Sequence, residues 1–132
     1  MTLPTNRTSG PLELTLHPGS HLVVLRFANE VSLTGEHGQA MVDALESVRT
    51  DGERFGLFAD TKGVRGTDGD YRAVTGKFFG QHRDTARIAL INLGPIVRIV
   101  AEMFRVGVRL QMKTFADEAA ARSWLRTQGI GA

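Results

Sequence analysis

Residues 87–105 read Arg87-Ile-Ala-Leu-Ile-Asn-Leu-Gly-Pro-Ile-Val-Arg-Ile-Val-Ala-Glu-Met-Phe-Arg105. From Arg87 to Leu93 runs the most continuous apolar segment of the chain, of a length that suits a strand buried on both faces. Gly94-Pro95 breaks it, and Pro95 fits the first position of a helix, where an N–H would have no partner in any case. Ile96 to Arg105 then shows helical spacing of apolar residues. A doubly buried strand that turns directly into a helix is the repeating unit of a parallel sheet, so this stretch assigns the chain to the α/β class.

Working outward, Gly107 is expected to stop the helix, and Val108, Leu110 and Met112 alternate with Arg109, Gln111 and Lys113, the pattern of a half-wet edge strand. Asp117 is expected to cap a last helix with Ala120, Ala121, Trp124 and Leu125 packed inward. Upstream, Phe55-Gly-Leu-Phe-Ala-Asp60 reads as a short buried strand, followed by a Gly-rich loop from Lys62 to Gly69. Asp68 or Asp70 caps the helix after it, whose inward face carries Tyr71, Val74 and Phe78. An earlier helix is signalled by Thr34 as N-cap, Glu36 in the first turn, and Met41, Leu45 and Val48 on one face. Leu12, Leu14 and Leu16 alternate with polar residues as an edge strand, and after the turn His17-Pro-Gly-Ser20 the apolar segment from His21 to Ala28 forms its deeper hairpin partner.

The resulting order, ββαβαβαβα, predicts a single-domain five-stranded mixed sheet over residues 11–132, preceded by a disordered N-terminal arm over residues 1–10. If each strand adds beside the last, right-handed crossovers put all the crossover helices on one face. The other face is then expected to be covered by sheet curvature, by a partner subunit or by a bound apolar molecule.

The chain has 132 residues, 42% apolar and 23% charged, and this length buries about two-thirds of the unfolded surface without help from disulfides or structural metal. The absence of cysteine removes thiolate catalysis, iron–sulfur clusters and Cys-containing zinc sites. Sixteen basic residues oppose 14 acidic ones, and the 13 Arg and 3 Lys are scattered without a run, so nucleic acid is not an expected partner. The first ten residues hold no apolar signal-peptide core, and the region from Ala86 to Phe104 is too broken by charge and by Gly94-Pro95 to span a bilayer. A cytoplasmic location is the expectation.

Few residues suggest chemistry. Gly63, Gly66 and Gly69, with Lys62 and Arg65, have neither the Walker nor the dinucleotide spacing, and Asp68 and Asp70 place negative charge where a phosphate would sit. His17 and His21 flank a turn but are too few for a metal site, His37 and His82 each stand alone, and Ser20, Ser32 and Ser47 lack a nucleophile-elbow context. Asp60, Asp68 and Asp70 are accounted for by loop and capping roles. No catalytic residue, cofactor or metal is expected.

The informative segment is again 95–105. Ile96, Val97, Ile99, Val100, Met103 and Phe104 span an arc of about 160°, wider than one sheet contact needs, with Arg98, Glu102 and Arg105 on a narrow polar face. One reading is a well-buried helix. The sharper one makes Phe78, Phe79, Ile96, Ile99, Val100, Met103 and Phe104 an apolar pocket or a homodimer seam, with Arg98 and Arg105 as an anion-holding rim.

The hairpin start, Phe58-Ala-Asp-Thr-Lys-Gly-Val64, Ala86-Arg-Ile-Ala-Leu-Ile91 and the ending Phe115-Ala-Asp-Glu-Ala-Ala-Ala-Arg-Ser-Trp-Leu125 together resemble the SpoIIAA-like family. The likeness spans about residues 12–126 and implies the STAS-type fold, which is also similar to CRAL-TRIO lipid-binding domains. It implies a non-enzymatic domain that binds a lipid-like apolar molecule or a protein partner, here through the helix 95–105 and the adjacent loop. The alternative is a regulatory antagonist in a partner-switching pathway. Antagonists of that type carry an Asp-Ser-Ser-Gly-like motif with a phosphorylated serine, and the matching place reads Thr67-Asp68-Gly69-Asp70. Glycine replaces the acceptor serine, Thr67 remains as a candidate acceptor, and Asp70 opposes an added phosphate.

Overall fold

The computed structural model describes residues 3–131. The elements run β1 (Thr5–Ser9), β2 (Leu12–His17), a 3-10 turn (Pro18–Ser20), β3 (Leu22–Phe27), β4 (Val31–Leu33), α1 (Gly35–Val48), β5 (Phe55–Asp60), β6 (Val64–Thr67), α2 (Gly69–Gln81), β7 (Ala86–Ile91), α3 (Pro95–Gly107), β8 (Gln111–Phe115) and α4 (Glu118–Thr127). Six strands form one sheet in the order β1-β2-β3-β5-β7-β8, antiparallel from β1 to β3 and parallel from β3 to β8. β4 and β6 make a separate two-stranded parallel sheet.

Three strands escaped the pattern reading. Thr5–Ser9 lies in the stretch expected to be a disordered arm, yet it pairs antiparallel with Leu12–Leu16 through the tight turn at Gly10, whose φ of 57° glycine adopts without strain. Thr-Asn-Arg-Thr-Ser carries no apolar alternation because β1 is an outer strand, exposed at nearly every position and joined to the sheet by its backbone. β2 is therefore an inner strand and not the edge; Met1 and Thr2, the start of that arm, and Ala132, the last residue of the expected domain, lie outside the described residues. β4 and β6 are short, and β6 falls inside the expected Gly-rich loop.

The helix signals are read correctly at most ends. Thr34 caps α1 in a reciprocal arrangement with His37, whose Nδ1 accepts the Thr34 N–H at 3.1 Å. Met41, Leu45 and Val48 are all buried. Of the two aspartates, Asp68 caps α2 by accepting the Tyr71 N–H at 2.7 Å, and Asp117 caps α4 by accepting the Ala120 N–H at 2.8 Å. Ala120 itself is exposed and not packed inward. Pro95 opens α3, which runs through Gly107 before Arg109 turns left-handed with φ 59°.

The strand alternation divides the core into two layers. Leu25, Leu57, Ala59, Ile88 and Leu90 point to the face that carries α1, α2 and α3, as the crossover rule requires. Leu22, Val24, Phe58, Ala89 and Ile91 point to the opposite face, where Ala121 and Leu125 of α4 and Ile130 cover them. That face was expected to need curvature, a partner or a ligand. The correction has a simple reason: α4 follows the last strand, is no crossover, and is free to fold back on the open side.

Candidate functional site

Between α3 and the sheet lies an apolar cavity of about 90 Å³. Its floor is formed by Leu25, Leu57, Ala59, Ile88 and Leu90, one wall by Met41 of α1 with Tyr71, Thr75 and Phe79 of α2, and the roof by Val97, Val100, Ala101 and Phe104 of α3. Leu33, Val64 and Thr67 of the small β4–β6 sheet close one end. The lining contains no ionisable side chain other than the Tyr71 phenol. The cavity exists because α3 does not seat deeply: no residue of this helix is fully buried, in contrast to the other three. Phe104 leans instead towards α2, where a Cβ on Gly76 would lie 3.5 Å from its ring.

The hydroxyl groups around the cavity are mostly satisfied. Thr61 donates to the Ile91 carbonyl at 2.9 Å, Thr75 donates to the Tyr71 carbonyl at 2.8 Å, and the Thr67 hydroxyl accepts from Arg72 at 3.0 Å. The Tyr71 hydroxyl has, among the described residues, only the Met41 thioether at 3.9 Å, a weak acceptor. Burial pushes the Tyr71 phenol well above its ordinary value, so it stays a hydrogen-bond donor.

The residues singled out in the sequence separate into distinct places. Phe79, Val100 and Phe104 line the cavity. Phe78 packs in the core beside it, 5.9 Å edge-to-face from Phe55 and 4.7 Å from the His82 ring. Ile96, Ile99 and Met103 face outward, 59%, 64% and 58% exposed, and Val106 at 63% continues the same stripe. Arg105 is hydrogen-bonded to Glu102 one turn earlier and holds that carboxyl below its ordinary value, while Arg98 is exposed on the same helix. Sequence reasoning missed the sheet floor, Met41, Thr75 and Val97 as cavity residues. For Tyr71 and Val97 a signal was present, since both were placed on apolar helix faces.

Thr67, Asp68 and Asp70 sit where β6 passes into α2. Thr67 is half-buried, with both its hydroxyl and its carbonyl accepting from Arg72, whereas Asp68, Gly69 and Asp70 are exposed. The histidines are dispersed. His21 sits between the Val48 carbonyl, 2.8 Å from Nδ1, and Glu53, 3.1 Å from Nε2. His37 serves the α1 cap, and His82 lies 3.6 Å from Glu46. Among the described residues no three His, Asp or Glu side chains gather in a way that could hold a metal ion.

A polar cleft of about 440 Å³ lies at the carboxyl end of the parallel strands. Asp60 accepts from Asn92 at 2.9 Å and from the Lys62 N–H at 3.1 Å, and Arg26 pairs with Glu118 at 2.6 Å. Among the described residues no helix is long and apolar enough to cross a membrane.

Residues 24–126 match the sequence model of a family described as SpoIIAA-like. No curated protein matches the chain. Among solved structures, the chain is similar to a protein of the DUF3478 family with a SpoIIAA-like fold from Shewanella loihica PV-4, at 17% identity and a TM-score of 0.63, covering 93% of this chain and 92% of that one. It is also similar to the anti-sigma factor antagonist SpoIIAA in its unphosphorylated form, at 16% identity and a TM-score of 0.57 over 87% and 97% of the two chains. A third likeness is to a putative anti-sigma factor antagonist from Thermotoga maritima, at 14% identity and a TM-score of 0.58 over 86% and 92%. At these identities the likeness is one of fold.

Proposed function

The chain belongs to the SpoIIAA-like family, and from that premise we propose that it is a non-enzymatic, cytoplasmic binding domain whose ligand is an apolar small molecule held beneath α3. The observation that carries this reading is the cavity itself, an apolar space roofed by the one helix that has no fully buried residue. Emptied of water and lined by aliphatic and aromatic groups, such a space gains about 25 cal/mol per Å² of ligand surface it removes from water. A molecule too large for the cavity lifts α3, which acts as a lid because its seating on the sheet gives up less burial than any other helix would. Arg98 and Arg105 are exposed on α3 outside the cavity, where they reach only a part of a ligand that extends past the lid.

Native mass spectrometry of gently purified protein, with organic extraction of what it carries, tests this. The expected result is a retained small molecule that is lost in Val100→Phe, where the larger side chain fills the space from the roof. An empty protein that takes up no added apolar compound overturns it. If the empty protein is instead a dimer that dissociates on Ile99→Asp or Met103→Asp, the outer stripe of α3 belongs to self-association.

A second reading, a regulatory antagonist that presents residues 67–71 to a protein partner, is supported by the exposed Asp68, Gly69 and Asp70 at the start of α2. Phosphate on Thr67 in protein isolated from cells is its expected sign. The half-buried, Arg72-bound position of that hydroxyl weighs against it.

A further inference from the structure

We infer that Tyr71 is the specificity-determining residue of the cavity, and that the molecule it selects is uncharged and apolar with one hydrogen-bond-accepting oxygen, such as a ketone, ester or ether. This rests on the binding reading above and adds the chemical class of the ligand.

Tyr71 is held by its backbone and by its ring. Its N–H donates to the Asp68 carboxylate at 2.7 Å and its carbonyl accepts from Thr75 at 2.8 Å, so the backbone is held on both sides. Its ring lies against α1 at Gly38, where a Cβ would stand 3.2 Å from the ring. These contacts aim the hydroxyl into the space beside Met41, whose sulfur at 3.9 Å is its only acceptor among the described residues. Thr61 and Thr75 donate to carbonyl oxygens and the Thr67 hydroxyl is held by Arg72, so among the described residues the phenol is the hydroxyl at the cavity whose partner is only a sulfur.

A ligand oxygen that accepts this proton satisfies both groups in a dry environment, where the hydrogen bond is worth more than in water. An alkane leaves the phenol as it is. A carboxylate placed at the same point has no cation to meet it: the lining holds none, Arg72 is bound to Thr67, and Arg98 is exposed on the far side of the lid. Burial keeps the phenol protonated far above neutrality, so the donor is present at every working pH.

The test titrates the whole chain with heptane, 2-heptanone and heptanoate at pH 7, followed by protein NMR. The expected result is that 2-heptanone binds about tenfold more tightly than heptane, and that Tyr71→Phe abolishes this preference while heptane binding is unchanged. Met41→Leu, which removes the thioether and keeps the volume, retains the preference and so serves if Tyr71→Phe does not fold. Equal binding of ketone and alkane by the wild type overturns the inference and leaves the cavity reading standing. Heptanoate binding more tightly than the ketone, with no response to Tyr71→Phe, also overturns it. If none of the three binds, the cavity reading itself has failed and this inference falls with it.

Discussion

Gly56 and Ile130 meet on the face of the sheet that carries α4: a Cβ on Gly56 would stand 2.9 Å from Ile130 Cγ2 and 3.2 Å from Leu125 Cδ2. The absence of a side chain in the middle of β5 lets the C-terminal segment lie flat on the sheet, and Ile130 is fully buried there. Ala121, Leu125 and Ile130 thus cover this face.

Gly56→Val is therefore expected to destabilise the fold by about 2 kcal/mol, through overpacking against Ile130 and Leu125 and against the intrinsic gain from replacing glycine in a strand. Urea unfolding reads this as a lower midpoint at unchanged slope. A midpoint equal to or above that of the wild type would show that the C-terminal segment does not hold this position.

Asp68→Ala is expected to cost about 1 kcal/mol, since it strips the acceptor from the Tyr71 N–H at the start of α2. Asp70→Ala, two residues on and without that bond, is expected to stay within about 0.5 kcal/mol of the wild type. Thermal melts of the two variants side by side separate the cap from the bystander.

Glu118 lies between Arg26 at 2.6 Å and Arg122 at 3.3 Å, and the hydrogen bond from Arg26 is the main cause that holds its carboxyl below the ordinary value of 4.5. A carboxyl lowered on folding stabilises the native state fully above its unfolded value, and that contribution is lost as pH falls through the lowered one. With about two-fifths of the side chain exposed, the effect is screened to about 0.5 kcal/mol. Glu118→Gln is thus expected to lower the melting temperature at pH 7 and to converge with the wild type as pH falls below 4.5 and through the lowered folded value. His17, held below its ordinary value of 6.5 by burial and then by Arg122, gives a slope of the same sign nearer neutrality.

On α3 the two stripes are expected to respond differently. Ile99→Ser and Met103→Ser, both at well-exposed positions, leave stability within about 0.5 kcal/mol, whereas Phe104→Ala costs about 2 kcal/mol because its ring contacts the cavity wall and α2. Equal losses in all three, measured by chemical unfolding, would mean that the outer stripe is covered in solution.

Much of this was legible along the chain. The capping residues Thr34 and Asp117, the Pro95 start of α3, the apolar face Met41-Leu45-Val48 and the parallel order of the central strands all express local rules: a side-chain acceptor for a free N–H, a ring that fixes φ, a period of 3.6 or 2. β1 was not legible, because an outer strand bonded through its backbone needs no apolar pattern, and β4 and β6 were too short to show one.

The candidate site shows the boundary most clearly. Val97 and Val100 line the cavity while Ile96 and Ile99, one position away in each case, face outward; all four are aliphatic, so hydropathy gives the helix a broad apolar arc and no means of saying which part of it turns inward. Sequence alone determined the α/β class, the order of helices and central strands along the chain, and the presence of an over-wide apolar helix, because these follow from interactions between residues a few positions apart. Tertiary structure alone decided that α4 and Ile130 close the second face, that α3 stops short of full burial, and that among the described residues Tyr71 is left with a proton and only a sulfur to take it. Each of these depends on the shapes of elements that meet from distant parts of the chain, and the volume left between them is a property of the packing that no single segment encodes.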